Sequence, residues 1–227
     1  MPLTQDASIE VTALRWVPEG ARGLVKDLRV RWALEEAGLD YRVRLVGGER
    51  PAGYSKDQAF NQVPCFNDGT VQIFESGAIL QYIGEKTEAL LPREPKARFR
   101  AIQWTYAAVS SIEPFVQFRA LLNNVFADQP WAEPAKPTFD HFARMRLQQL
   151  SDRLSDKPWL EDDAFTIGDL MMVTVLRIAD RSGQLADFPT LAAYVKRGQE
   201  RPAFGRALND QLAAFAANEP QPEGAAA

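Results

Sequence analysis

Two stretches of the sequence carry side chains that can bind a small anion. The first is the pair Glu75-Ser76, which opens a predicted helix directly after a predicted hairpin. The free N–H groups and the dipole of a helix start attract a carboxylate, and a hydroxyl there adds one more donor. Acidic and hydroxyl side chains are also favoured at helix starts as simple caps. The pair alone therefore leaves both a binding role and a capping role open.

The second stretch runs from residue 15 to residue 31. It has a net charge of +3, whereas the rest of the chain carries −7. Its basic residues are Arg15, Arg22, Lys26, Arg29 and Arg31. Most clusters of this kind are solvated helix faces, but a cluster beside a site creates a local field that favours a small anion. Its position along the chain must decide between the two.

The scarce residue types exclude whole classes of chemistry. The single cysteine, Cys65, excludes an internal disulfide and any Cys-x-x-Cys redox or zinc motif. The single histidine, His141, leaves no histidine-rich metal cluster, so no metal site is predicted. We expect Cys65 to be a small buried hydrophobe and His141 to face solvent or pack locally.

Length and composition indicate a globular protein. The chain has 227 residues, of which 46% are hydrophobic and 25% charged, which fits one large domain or two small ones. The net charge of −4 gives no overall basic surface for nucleic acid. No apolar run approaches the ~20 residues of a membrane span, and residues 1–10 lack the pattern of a secretory signal. We expect a soluble, cytoplasmic protein that binds neither nucleic acid nor membrane.

The elements of a first module must position the two candidate stretches. Alternating apolar and polar residues predict strands over 9–14 and 41–45, with a helix over 24–37 between them. Such a unit has parallel strands and a right-handed crossover. The turn Asp68-Gly69 then predicts a hairpin of strands 63–67 and 70–74, which leads into the helix that Glu75-Ser76 opens.

The second module is all helix. Apolar residues recur at three- and four-residue spacing from Pro95, and Pro114 should kink or break this first helix. Residues 128–137 contain three prolines and are expected to be a connector before a helix over 138–154. Thr166 and Asp169 have the spacing of a capping box, a stabilising rather than a catalytic pair, at the start of a helix over 170–179. Two further helices begin near Pro189 and Pro202.

This order of elements resembles the glutathione transferase superfamily, as a bacterial-type cytosolic member, over about residues 8–216. The segments that carry the resemblance are Gln62-Val63-Pro64, residues 74–79, residues 31–38 and residues 165–169. The resemblance implies an α/β thioredoxin-like domain over 8–84, a linker over 85–94, an all-α domain over 95–216 and a disordered tail over 217–227. It also implies glutathione as co-substrate, a small apolar electrophile as second substrate, and a homodimer.

The resemblance assigns site residues as well. Val63-Pro64 should be a cis bond that turns the Val63 backbone toward a bound peptide. Ser76 should hold the γ-glutamyl carboxylate, and Glu75 should accept from its α-ammonium. Trp16 and Gln62 complete the predicted glutathione-binding set. Some of the aromatic residues Trp104, Tyr106, Phe115 and Phe118 should line the electrophile site, although aromatics at helical spacing are more often core.

The sequence departs from the family at the residue that activates the thiol. Family members carry Tyr, Ser or Cys after the first strand, but residues 14–30 contain no Ser, Thr, Tyr or Cys. One hypothesis is an active glutathione transferase whose thiolate is stabilised by helix N-terminal N–H groups and by Arg22 and Lys26. The alternative is a non-catalytic binding or interaction protein with the same fold. Intact Val63-Pro64 and Glu75-Ser76 motifs favour the first.

Overall fold

A four-stranded mixed sheet organises the N-terminal part of the computed structural model, which describes residues 3–161 and 163–220. The strands are β1 (Ile9–Leu14), β2 (Tyr41–Val46), β3 (Cys65–Asn67) and β4 (Gln72–Phe74), in the spatial order β2-β1-β3-β4. β1 pairs with β2 in parallel and with β3 antiparallel, and β3 pairs with β4 antiparallel. The predicted crossover unit and the predicted hairpin are both confirmed.

Eight α-helices complete the described part of the chain. They are α1 (Asp27–Ala37), α2 (Ser76–Thr87), α3 (Pro95–Ala107), α4 (Glu113–Leu121), α5 (Ala132–Leu154), α6 (Ile167–Arg181), α7 (Pro189–Gln199) and α8 (Pro202–Ala217). α1 starts three residues later than predicted, with Lys26 as its N-cap, and it ends at Gly38 with φ +65°. Glycine suits this left-handed position because it has no Cβ. None of the helices in residues 3–161 and 163–220 combines the length and apolar character that a membrane span requires.

Prolines interrupt one predicted helix and are accommodated within another. Before Pro114 the backbone forms a π-helical turn over Ala108–Ile112, which separates α3 from α4. Pro114 has no N–H and its ring would clash with a carbonyl one turn earlier in a regular α-helix, so the predicted break takes this form. The prediction of a connector up to residue 137 was wrong, because α5 already begins at Ala132. Pro134 lies in its first turn, where no N–H is required.

The chain divides into two compact units. Described residues 3–79 and 203–220 form the first, and 80–202 form the second. The last helix, α8, thus belongs with the sheet, whereas the sequence assigned it to the helical module. Arg206 Nε lies 2.6 Å from Glu35 Oε2, and the Trp32 and Phe204 rings meet edge to face at 4.9 Å. The predicted tail over 217–227 falls mostly outside the described residues, and α8 includes Ala217.

The basic stretch is not a solvated helix face throughout. Arg29 and Arg31 are only 3% and 1% exposed. Arg31 Nε donates to Asp27 Oδ2 at 2.7 Å, and Gln211 Nε2 donates to Asp27 Oδ1 at 2.8 Å. Burial raises the pKa of Asp27, and Arg31 opposes that rise. The solvated-face interpretation therefore fails for these two arginines.

The capping box at the start of α6 is confirmed. Thr166 Oγ1 accepts from the Gly168 N–H at 3.2 Å, and Asp169 Oδ2 accepts from the Thr166 N–H at 3.0 Å. Asp169 does more than the spacing predicted. Its Oδ1 also accepts from the Leu160 N–H and from the Tyr194 hydroxyl, both at 2.9 Å. One buried carboxylate thereby joins a loop and two helices of the second unit.

Candidate functional site

A small polar cleft of about 80 Å³ opens in the first unit. Its lining residues are Lys26, Gln58, Gln62, Val63, Pro64, Glu75 and Ser76. They come from the start of α1, the loop before β3, and the start of α2. The structure therefore brings together six of the eight site residues that the sequence predicts: Lys26, Gln62, Val63, Pro64, Glu75 and Ser76.

The turn before β3 forms one wall of the cleft. The Val63-Pro64 peptide bond is cis, as the sequence analysis predicts. Val63 is half-buried and Pro64 is buried. A turn of this kind offers backbone N–H and C=O groups to an extended peptide, which pairs with them as a neighbouring strand would.

A hydrogen-bond chain behind this turn holds it in place. The Tyr54 hydroxyl donates to the Gln62 carbonyl at 2.8 Å and lies 2.9 Å from Thr12 Oγ1. Thr12 Oγ1 in turn accepts from the Cys65 N–H at 2.7 Å. Thr12 and Tyr54 are 1% and 2% exposed, and burial raises the pKa of Tyr54. These hydrogen bonds hold the backbone at Gln62 and at Cys65, on either side of the cis bond.

The Gln58 side chain holds the loop before the cis bond through two backbone contacts. Its Oε1 accepts from the N–H groups of Phe60 and Gln62, at 2.7 and 3.0 Å. The residue is buried and also lines the cleft. With both acceptor positions used by backbone, its amide group is fixed in orientation, which makes this wall rigid.

The start of α2 forms the opposite wall. Glu75 precedes the helix with φ +71°, and its carbonyl accepts from the Ile79 N–H at 3.0 Å. Ser76 is the first helical residue and is 5% exposed. An exposed carboxylate therefore stands beside a buried hydroxyl and the free N–H groups of a helix start. This combination can hold an ammonium group and a carboxylate side by side.

Lys26 brings a positive charge to the cleft. It is the N-cap of α1 and is half-buried. The next residue, Asp27, could oppose a bound anion, but the Asp27 carboxylate is fully buried and paired with Arg31. A cation and a helix start with a neutralised first residue favour an anion at this end.

Two predicted site residues do not line the cleft. Arg22 pairs instead with Glu219, Nη2 to Oε2 at 2.5 Å, and donates from Nε to the Val17 carbonyl. Trp16 is half-buried elsewhere in the first unit. Glu219, the partner of Arg22, lies almost two hundred residues away in the sequence, so no local sequence pattern predicts this ion pair.

The remaining candidate residues do not line the cleft. Cys65 is 2% exposed, its Sγ lies 3.3 Å from the Asp57 carbonyl, and burial raises the pKa of its thiol, which favours the unreactive form. His141 is exposed and packs against the Phe142 ring. Tyr106 and Phe118 are 56% and 40% exposed and do not belong to the core. Within the described ranges, no group of three or more His, Cys, Asp or Glu could hold a metal ion.

Sequence reasoning missed the residues that support the cleft from behind. Thr12, Tyr54 and Gln58 lie on a strand and in a loop without any motif of their own. The alternation of β1 places Thr12 on the opposite face of the strand from its two neighbours, which does not reveal its partners Tyr54 and Cys65. Arg29 was seen only as part of the basic stretch.

Comparisons with known proteins identify the family of the chain. The family models described as "Glutathione S-transferase, N-terminal domain" and "Glutathione S-transferase, C-terminal domain" match residues 20–85 and 134–202. The chain is 30% identical over 188 residues to the disulfide-bond oxidoreductase YfcG of Escherichia coli, covering 77% of this chain and 86% of that protein. It is also 30% identical over 189 residues to the glutathione S-transferase GstA of Escherichia coli O157:H7, covering 78% and 89%.

Solved structures share the fold. A glutathione transferase family member from Pseudomonas fluorescens, crystallised with two bound glutathiones, matches with a TM-score of 0.79 at 23% identity, covering 90% of this chain and 94% of that one. A glutathione transferase from Burkholderia graminis, with two glutathione molecules per subunit, matches with a TM-score of 0.74 at 23% identity, covering 88% and 87%.

Proposed function

Since the chain belongs to the glutathione S-transferase family, we propose that it is a glutathione-dependent transferase that binds glutathione in the cleft lined by Val63, Glu75 and Ser76. The observation that carries the proposal is the meeting of the cis Val63-Pro64 turn with the α2 helix start in one cleft. These two walls offer complementary groups for the γ-glutamyl end and for the cysteinyl backbone of glutathione.

In this proposal the γ-glutamyl end lies at the start of α2. Its carboxylate accepts from the Ser76 hydroxyl and from α2 N–H groups, and its ammonium donates to Glu75. The cysteinyl backbone pairs with the N–H and C=O groups of Val63. The thiol then extends toward Lys26, which lines the same cleft.

Lys26 is our candidate for stabilising the thiolate. Residues 14–30 supply no hydroxyl or thiol, and Arg22 is engaged with Glu219. A nearby cation favours the charged form of a thiol, as do the N–H groups of a helix start. The thiolate attacks a small apolar electrophile, a carbon–sulfur bond forms, and the electrophile loses its leaving group. With a disulfide, the same thiolate forms a new S–S bond and the old one breaks; exchange is supported by the likeness to the oxidoreductase YfcG.

Binding to immobilised glutathione and two turnover assays test this function. Wild-type protein should be retained and eluted by free glutathione. With glutathione added, it should also catalyse displacement of chloride from 1-chloro-2,4-dinitrobenzene by the glutathione thiolate, or reduction of bis(2-hydroxyethyl) disulfide by two glutathione molecules, which become glutathione disulfide. Retention without either turnover would favour the non-catalytic alternative. No retention, and no heat on calorimetric titration with glutathione, would contradict the proposal.

We also propose that the chain forms a homodimer, as the family resemblance implies. Analytical ultracentrifugation of the purified protein tests this. A sedimenting mass near twice the 25.4 kDa of the chain is expected, and a monomer at all concentrations would contradict it.

A further inference from the structure

We propose that a second cavity of the first unit binds a small apolar α-amino acid, with the ligand carboxylate at Arg31 and the ligand ammonium at Asp210. This α8 cavity has a volume of about 290 Å³, and its lining includes Arg31, Val43, Leu45, Asp210 and Ala214. Its volume lies near the lower end of the range for ligand sites, about 300–1,000 Å³. None of the residues that line it also lines the glutathione cleft, so the proposal does not depend on the proposed function.

The α8 cavity and the cleft lie on different sides of the sheet unit. β2 is an edge strand, and β1 separates it from β3, which follows the cis turn of the cleft. Arg29 and Arg31 are two positions apart on α1, so their side chains point about 200° apart around the helix. Arg29 Nη1 donates to Ser76 Oγ at 3.2 Å, on the side of the cleft, whereas Arg31 lines the α8 cavity.

Arg31 brings an unused hydrogen-bond donor to the inner wall of the cavity. The residue is only 1% exposed. Its Nε donates to Asp27 Oδ2 at 2.7 Å, but its Nη2 makes no hydrogen bond to any part of the chain that the structure describes. A buried donor without an acceptor destabilises the folded state. A ligand carboxylate would supply that acceptor, and guanidinium–carboxylate bonds are among the stronger hydrogen bonds in proteins.

Asp210 brings a carboxylate from α8 to the same cavity. The residue is half-buried, and no group within residues 3–161 and 163–220 donates a hydrogen bond to its side chain. Burial raises the pKa of Asp210, and the positive charges of Arg31 and Arg206 oppose that rise. A partly buried carboxylate is stabilised by a cation that also donates hydrogen bonds. An ammonium group carries three such donors.

The other arginines around the cavity already have partners. Arg42 also lines it, but its Nε and Nη2 lie 3.2 and 3.1 Å from Glu10 Oε2, and its Nη1 donates to the Ala7 carbonyl. Arg206 on α8 pairs with Glu35. Among the charged residues that line the described cavity, Arg31 and Asp210 therefore remain for a ligand. One cation and one anion together favour a dipolar ligand over a simple anion.

Apolar side chains complete the wall. Leu3, Val43, Leu45 and Ala214 line the cavity and are each half-buried, so a ligand would remove more of their surface from water. The apolar wall favours an amino acid such as leucine. The γ-glutamyl end of glutathione carries the same ammonium and carboxylate groups without an apolar side chain, and we therefore expect it to bind more weakly in this cavity.

Calorimetric titration of wild-type protein with L-leucine tests the proposal. Leucine should bind with a dissociation constant below about 1 mM. Both 4-methylpentanoate, which lacks only the ammonium, and 3-methylbutylamine, which lacks only the carboxylate, should bind at least about tenfold more weakly. Leucine affinity should be the same with glutathione added at a concentration that saturates the cleft. Competition between the two would overturn the proposal, because it would place the leucine head group in the cleft.

Two variants locate the site. Asp210→Asn should weaken leucine binding about tenfold, but it should bind 4-methylpentanoate at least as well as wild type, because a repelling charge is removed. Ala214→Phe should fill the cavity and abolish leucine binding while glutathione affinity is unchanged. Asp156→Asn, at an exposed position in the other unit, is the matched control for Asp210→Asn and should change neither ligand.

Absence of saturable leucine binding would overturn the proposal, and so would leucine affinity that is unchanged in Asp210→Asn. If circular dichroism shows that Ala214→Phe does not fold, Asp210→Asn decides alone, since it removes only a charge. Failure of the proposed function is a separate result, because glutathione would then not bind whether or not leucine does.

Discussion

Glu75 is held at φ +71°, a region that non-glycine residues rarely adopt and that costs about 1–3 kcal/mol. Glycine or asparagine would satisfy the same turn more cheaply. Strain of this kind is retained where a side chain is needed at a particular place, and here that place is the rim of the cleft. The conformation of one residue thus supports a binding role over a simple cap.

Glu75→Ala and Ser76→Ala should each weaken glutathione binding about ten- to a hundredfold, because each removes a charge-assisted bond of about 1.5–3 kcal/mol. Calorimetric titration measures the effect. Ser55→Ala, at an exposed position in the same unit, is the matched control and should leave the affinity unchanged. Unaltered affinity in both cleft variants would show that glutathione binds elsewhere.

Lys26→Ala should raise the pKa of the bound glutathione thiol by about 1, since it removes a half-buried cation from the cleft. The thiolate fraction at neutral pH then falls. Ultraviolet absorbance of the bound thiolate against pH gives the value directly. Lys26→Arg should stay close to wild type.

The sequence alone gives Arg22 the same role, but the structure makes it the control. Arg22→Ala should leave the thiol titration unchanged, because its guanidinium pairs with Glu219 and does not line the cleft. If the Lys26→Ala and wild-type titrations coincide, neither cation acts on the sulfur and the non-catalytic alternative gains.

At the scale of single elements, α6 depends on its first turn. Its residues from Ile167 to Leu176 are buried throughout, so the helix needs a defined start as well as apolar packing. Thr166 and Asp169 supply that start and satisfy N–H groups that would otherwise be buried without partners.

Thr166→Ala should lower the free energy of unfolding by about 0.5–2 kcal/mol, with glutathione affinity unchanged. Chemical denaturation and calorimetric titration of the same samples measure the two quantities. Thr70→Ala, at an exposed turn, is the control and should stay within about 0.5 kcal/mol of wild type. Weaker glutathione binding at unchanged stability would reverse the assigned role.

Local sequence patterns were sufficient to predict most helices and strands. They were insufficient to predict the residues that support the cleft from behind. Alternation, the Asp68-Gly69 turn and the Thr166 cap predicted elements because each is a short-range property of the chain. The early start of α5 was missed because prolines outside a first turn normally end helices. Tyr54, Gln58 and Arg29 were missed because their partners are set by the tertiary fold, which single-sequence patterns do not encode.

At the scale of the molecule, the first unit is built from both ends of the sequence. Glu35 on α1 has a fully buried side chain, and its Oε2 accepts from Arg206 on α8. Asp27, also on α1, accepts a hydrogen bond from Gln211, which lies on α8 like Arg206. A buried carboxylate without its partner is strongly unfavourable, so α8 is a structural requirement of the sheet unit.

Arg206→Met should therefore destabilise the protein by about 1–3 kcal/mol, the cost of leaving a buried acceptor unsatisfied. This is less than the about 3–5 kcal/mol for breaking a fully buried pair, because Arg206 itself is 39% exposed. Denaturant unfolding measures the loss. The matched control is Arg144→Met, which breaks an exposed pair with Asp187 and should cost less than about 1 kcal/mol. Equal losses in the two variants would show that α8 is not needed in this way.

The position of α8 also determines the order in which a nascent chain can mature on the ribosome. The 80–202 unit is one continuous stretch, so it has all of its residues as soon as that stretch emerges. The earlier residues 3–79 must wait for α8, a delay of roughly 6–25 s at synthesis rates of about 5–20 residues per second. During that interval Glu35 and Asp27 lack their partners from α8. We therefore expect the 80–202 unit to have all of its residues before the first unit does, and the cleft in the first unit to be completed last.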